Sequence, residues 1–170
     1  ATDEIGQPFV AYFDGTNGNL RLAQLSGPTW VSEAVDTAGT VGVAPSLRWR
    51  GGVLSMSYRD ATPASVALKY ATGTPGAWST EVVDGTGDPG AESSLDHNAF
   101  GQPRIAYFDA ASASVKFATK PGATWTKEPV ATGAGASVSM DRSATDEPFL
   151  SWSDAATGEV RFGALVACAS

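Results

Sequence analysis

Three tryptophans, each followed at the third position by a glutamate, are the side chains of this sequence best suited to chemistry: Trp30 with Glu33, Trp78 with Glu81, and Trp125 with Glu128. An indole offers a flat apolar face on which a sugar ring stacks, and a carboxylate accepts hydroxyl hydrogens. A set of such pairs would make a multivalent glycan binder. The same residues have a structural use, with each Trp packed between neighbouring units and each Glu satisfying backbone or a cross-strand cation. Recurrence favours that second use, because a residue present in every copy serves what every copy must do. A further set, Arg48, Asp96 and Asp141, shares one alignment column and would either bind an ion or small polar ligand or form a mutually compensating charge set.

Four aspartates recur as well: Asp14, Asp60, Asp109 and Asp154. Asp14-Gly15-Thr16-Asn17-Gly18-Asn19 alternates oxygen donors as a calcium loop does, but the other copies keep the Asp and lose most other donors. A hard cation needs about six oxygens, whereas an Asp opening a turn needs one nearby backbone N–H. Turn-capping is therefore the expectation, with no metal and no cofactor. His97 is the sole histidine, so a multi-histidine metal site within one chain is excluded, and its setting before Asn98-Ala99-Phe100-Gly101 reads as a surface loop. No nucleophile motif accompanies it. Paired carboxylates for glycoside hydrolysis would come from this same pool of Asp and Glu. An active site is normally a break in a repeat, which draws attention to Arg48-Trp49-Arg50, Arg59, Pro63-Ala64 and Asp96-His97-Asn98.

The elements carrying these residues repeat with them. Aromatics at 12, 58, 107 and 152 each stand two residues before the recurring Asp, hence 46, 49 and 45 apart. The run before each Asp reads as a strand (B). After a small-residue turn, Leu20-Arg21-Leu22, Leu68-Lys69-Tyr70, Val115-Lys116-Phe117 and Val160-Arg161-Phe162 alternate as a half-buried strand (C). Trp-x-x-Glu marks a further strand (D), and Ser46-Leu47, Ser94-Leu95 and Ser139-Met140 mark strand A. Four-stranded antiparallel units at this period predict an all-β chain, a β-propeller or partial propeller of about 3.5–4 blades. We place one repeat domain over 1–170, with copies at 1–43, 44–91, 92–136 and 137–170. The first lacks strand A and the last lacks strand D, its Trp position falling on Ser170. Regrouping the strands as D-A-B-C is an alternative blade assignment.

Composition agrees: 19 Gly, 10 Pro and only 17% charged residues suit short strands and tight turns. Eighteen acidic against eleven basic residues give a net charge of −7, which opposes attraction to nucleic acid or anionic lipid. No apolar run reaches the ~18 to 20 residues of a membrane span. The single Cys168 cannot form a disulfide within the chain and is expected to be buried or free.

The segment Val10-Ala11-Tyr12-Phe13-Asp14-Gly15-Thr16-Asn17-Gly18-Asn19-Leu20-Arg21, with Trp30-x-x-Glu33 and the Ser-Leu strand, resembles repeats of bacterial extracellular propeller proteins loosely grouped with sialidase-type folds. The sialidase Asp-box, Ser-x-Asp-x-Gly-x-Thr-Trp, is not present in its usual form. The resemblance implies architecture and a secreted, periplasmic or cell-surface setting. Three functions follow from the sequence: a non-catalytic module binding a glycan or protein, a glycoside hydrolase of sialidase type, or a structural subunit whose ring is completed by a second copy or a companion chain.

Overall fold

The computed structural model describes residues 1–165, and these form fourteen strands in four antiparallel sheets with no helix. Sheet 1 holds β1 (Phe9–Asp14), β2 (Asn19–Ser26) and β3 (Thr29–Asp36). Sheet 2 holds β4 (Val41–Arg50), β5 (Val53–Asp60), β6 (Ala67–Thr74) and β7 (Ala77–Asp84). Sheet 3 holds β8 (Pro89–His97), β9 (Pro103–Asp109), β10 (Ser114–Thr119) and β11 (Thr126–Thr132). Sheet 4 holds β12 (Ala134–Arg142), β13 (Pro148–Asp154) and β14 (Val160–Ala164). Cys168 and the Trp position at 170 lie outside the described residues. The chain divides into two compact units, Ala1–Gly90 with sheets 1 and 2, and a second from Ala91 with sheets 3 and 4.

Each sheet is one sequence repeat, its strands side by side in the order A-B-C-D. Strand D pairs with strand C of its own copy (β2 with β3, β6 with β7, β10 with β11), so the D-A-B-C regrouping is not the one the chain adopts. Sheet 1 is B-C-D and sheet 4 is A-B-C. On the edge of β1 where strand A would lie, the described residues place the bridge between Thr2 and Pro8 and the bonds of Ala1 with Phe9.

The B-to-C turns show why the recurring Asp is there. Backbone N–H groups of Thr16, Thr62, Ala111 and Ala156 donate to the first carboxylate oxygen of Asp14, Asp60, Asp109 and Asp154 at 2.9–3.1 Å. Four residues after each Asp the chain turns left-handed: Gly18 (φ 72°), Ala64 (φ 69°), Ala113 (φ 46°) and Gly158 (φ 71°). Two copies thus place alanine where glycine costs least.

Within each unit two sheets pack face to face around one apolar cluster. In the first, Leu20 and Leu22 of β2 lie against Leu54, Met56 and Tyr58 of β5, all 2% exposed or less. In the second, Val115 and Phe117 of β10 lie with Met140 of β12 and Leu150 of β13. Full burial of each such aliphatic side chain contributes about 1.5–3 kcal/mol. Sheet 2 approaches sheet 1 so closely at Gly42 that a Cβ there would sit 2.5 Å from the Leu20 Cα, which explains a glycine at φ 102° near the start of β4.

One expectation is corrected. His97 is not a surface-loop residue; it closes β8 and is 6% exposed, because strand A runs two residues further than its Ser-Leu core suggested.

Candidate functional site

A strand sends side chains three apart to opposite faces. Trp30 lies across from Leu25 and Glu33 across from Leu22, on the two faces of sheet 1, so Trp and Glu of one copy do not form a common platform. The pairing runs between copies instead. Trp78 of β7 donates its indole N–H to Oε1 of Glu33 at 2.8 Å, and the backbone N–H of Gly76 reaches the same oxygen at 2.9 Å.

A β-bulge adds a second link. Leu20 pairs with Asp36 and Arg21 with Ala34, leaving Val35 as the extra residue, so Asp36 returns to the face of Leu22 and Glu33. There Tyr58 donates to its carboxylate at 2.7 Å and the Lys69 ammonium pairs with it. All three are under 9% exposed. Burial opposes ionisation of Asp36, but the hydrogen bonds from Lys69 and Tyr58 outweigh it and hold the carboxyl below its usual range. Burial and the adjacent carboxylate push the Tyr58 phenol upward. The sheet 1 to sheet 2 junction is therefore tied at Glu33–Trp78 and at Asp36–Lys69–Tyr58.

Among the described residues, the junction of sheets 3 and 4 has neither tie. Glu128 lies across from Phe117, as Glu33 lies across from Leu22, but sheet 4 contributes only β12, β13 and β14 among the described residues, so it brings no strand-D tryptophan to Glu128. The bulge recurs between Val115 and Lys116, yet the residue in the Asp36 position is Ala131. Arg161, in the Lys69 position, turns back to Asp154 and Glu159. Around the exposed Glu128 a cleft of about 270 Å³ opens, lined by Phe117, Thr119, Thr126, Lys127 and Glu128. The Thr119 and Thr126 hydroxyls are 2.8 Å apart on its wall. A carboxylate, two hydroxyls and an aromatic ring can hold a ligand with both hydroxyls and apolar C–H faces.

The remaining candidates sit elsewhere. Trp30 is 54% exposed on the face of sheet 1 turned away from sheet 2. Trp125 precedes β11, half-buried, with the Lys120 ammonium 5.9 Å from its ring centre. Glu81 is half-buried in β7 across from Tyr70. Arg48 lies in β4 across from Ser55, and its charge adds to burial in lowering the pKa of the Ala1 ammonium. Asp96 pairs with Arg142 at 3.4 Å, and Asp141, exposed in β12, accepts the backbone N–H of Arg142. Arg142 also reaches Asp146, whose carboxylate takes the Ala99 N–H and the Arg104 guanidinium. Asp96 is thus part of a salt-bridge network joining the A-to-B turns of sheets 3 and 4. Among the described residues there is no group of three or more His, Cys, Asp or Glu placed to hold a metal ion, and no helix long and apolar enough to cross a membrane.

Sequence reasoning named Glu128 but not the threonines beside it or Asp36. The signal was present: Glu33-x-x-Asp36 and Glu81-x-x-Asp84 become Glu128-Pro129-Val130-Ala131 in the third copy.

Four sheets of this type, each one sequence repeat, make the chain an all-β protein built of β-propeller blades. It is similar to a fucose lectin from Kordia zhangzhouensis, solved in complex with methyl-fucoside, at 13% identity and a TM-score of 0.55 over 78% of this chain and 96% of that one. A xylan β-1,4-xylosidase from Bacillus halodurans C-125 aligns at 9% identity over 92% of this chain and 50% of that one, with a TM-score of 0.34 that carries no argument. No protein-family model and no curated protein matches the chain.

Proposed function

We propose that the chain is a non-catalytic glycan-binding module of propeller blades and that the Glu128 cleft is its sugar site. The observation that carries this reading is the setting of Glu128, where no described residue caps the carboxylate as Trp78 caps Glu33 and a cleft opens beside it. At about 270 Å³ the cleft suits one monosaccharide unit, below the ~300 Å³ where drug-sized ligand sites begin. Glu128 accepts hydrogen bonds from vicinal hydroxyls, Thr119 and Thr126 act as donor or acceptor, and the small exposed part of the otherwise buried Phe117 adds apolar surface to the cleft. Its lining holds a single carboxylate, whereas glycoside hydrolysis uses two flanking the scissile bond, which favours binding over reaction. The likeness in fold to a lectin supports the same reading, and a secreted or surface location accords with it.

A glycan array followed by calorimetry with the methyl glycosides of the hits tests the proposal. We expect one class of terminal monosaccharide to bind, with Glu128→Ala abolishing binding and EDTA leaving it unchanged. An array with no hits, or binding that Glu128→Ala leaves intact, overturns it.

A further inference from the structure

Val160 and Phe162 of β14 occupy the positions that Leu20 and Leu22 hold in β2 and that Val115 and Phe117 hold in β10. Those four are 0%, 1%, 0% and 5% exposed, because the following sheet lies on them, whereas Val160 and Phe162 are 78% and 69% exposed. Phe162 stacks on Phe149 of β13, their ring centroids 5.5 Å apart, so the open face presents a fixed aromatic pair. The strand register puts Phe149, Ser151 and Ser153 beside Ala164, Phe162 and Val160 on this one face.

The matching half of the junction stands open on sheet 1. Val10, Tyr12, Arg21 and Trp30 share its face turned away from sheet 2, as the register and the Arg21–Tyr12 hydrogen bond show. Val10 there is 47% exposed, while its counterparts Met56, on sheet 2, and Leu150, on sheet 4, are 0% and 1% exposed against the sheet before them. Among the described residues, each unit thus makes one sheet-on-sheet junction of this kind, and the exposed Val160 and Phe162 in one and Val10 in the other mark the two halves of a further one.

We infer that a second copy of this chain covers them, the β14 face of one protomer seating the Val10–Trp30 face of sheet 1 of the next in a head-to-tail, heterologous contact. A surface that repeats the fold's own junction is filled best by the element that fills it elsewhere, and sheet 1 carries such a matching face, with Val10 exposed on it.

Light scattering on eluting protein tests this with wild type, Phe162→Asp and Val10→Asp, both substitutions lying at exposed positions with unfolding midpoints checked against wild type. At about 100 µM we expect wild type to run at twice the monomer mass or more and each variant to run as monomer. A 1:1 mixture of the two variants should recover a species of twice the monomer mass, since one intact β14 face and one intact sheet 1 face remain. A monomeric wild type overturns the inference, as does a Val10→Asp protein that keeps the wild-type mass, which would mean that β14 seats on some other surface. Sugar binding at Glu128 is a separate readout, so failure of either proposal leaves the other standing.

Discussion

The indole N–H of Trp78 and the carboxylate of Glu33 meet at 2.8 Å across 45 residues of sequence, joining strand D of one repeat to strand D of the next. Because Trp78 also packs against the apolar cluster of sheets 1 and 2, its two contributions can be separated. Trp78→Phe keeps most of the packing and loses a hydrogen bond to a charged acceptor, so it should cost about 1.5 kcal/mol. Trp78→Ala loses both and should cost about 3 kcal/mol. Urea unfolding measures the two, and a Phe variant as stable as wild type would show that the bond contributes nothing.

Asp36 gives the junction a pH dependence with a definite sign. Its folded-state pKa is held below the ordinary aspartate value, so its contribution is present above that value and is lost as the pH falls through the folded pKa. Wild type should therefore lose stability steeply below about pH 4. Asp36→Asn leaves the Lys69 ammonium buried without its counter-charge, which should cost about 3 kcal/mol at neutral pH and flatten the acid limb. Unfolding midpoints measured from pH 2 to 7, roughly spanning the carboxylate range, check both effects. Parallel acid limbs in the two proteins would remove Asp36 as the source.

The strand order was legible because alternation, turn residues and a period of 45 to 49 residues are local features of the sequence. The Glu-x-x-Asp spacing of two copies marks Asp36, but its pairing was not legible, since it depends on a bulge that turns Asp36 back to the face of Glu33, and a bulge leaves no mark in simple alternation. The partner of Glu33 was hidden for a similar reason. Parity along a strand sends Trp30 and Glu33 to opposite faces, so the relevant Trp lay one repeat away. His97 was misread because the end of strand A is set by pairing with β9 rather than by the Ser-Leu pattern alone.

The left-handed position four residues after each turn Asp offers a gain in stability. Ala113 holds φ 46° where the first and fourth copies use glycine. Left-handed backbone costs an L-residue about 1–2 kcal/mol, partly offset by the greater unfolded-state freedom of glycine. Ala113→Gly should stabilise by about 0.5–1 kcal/mol, and Ala64→Gly, at φ 69°, by a similar amount. Differential scanning calorimetry reads both, and a lowered midpoint in either variant would contradict the argument from backbone strain.

Glu33 and Glu128 stand in one column of the repeat and should respond to truncation in opposite ways. Glu33→Ala strands the Trp78 indole N–H and the Gly76 N–H at a packed junction, so it should cost about 1.5 kcal/mol and leave sugar affinity unchanged. Glu128→Ala removes an exposed carboxylate with no indole of the described residues against it, so stability should stay within about 0.5 kcal/mol of wild type. Its sugar affinity should fall at least tenfold, about 1.4 kcal/mol of binding free energy. Chemical unfolding and calorimetry on both variants measure the four quantities. Loss of stability in Glu128→Ala equal to that in Glu33→Ala would mean that the column is structural throughout, and the break in the repeat would then have no bearing on ligand binding.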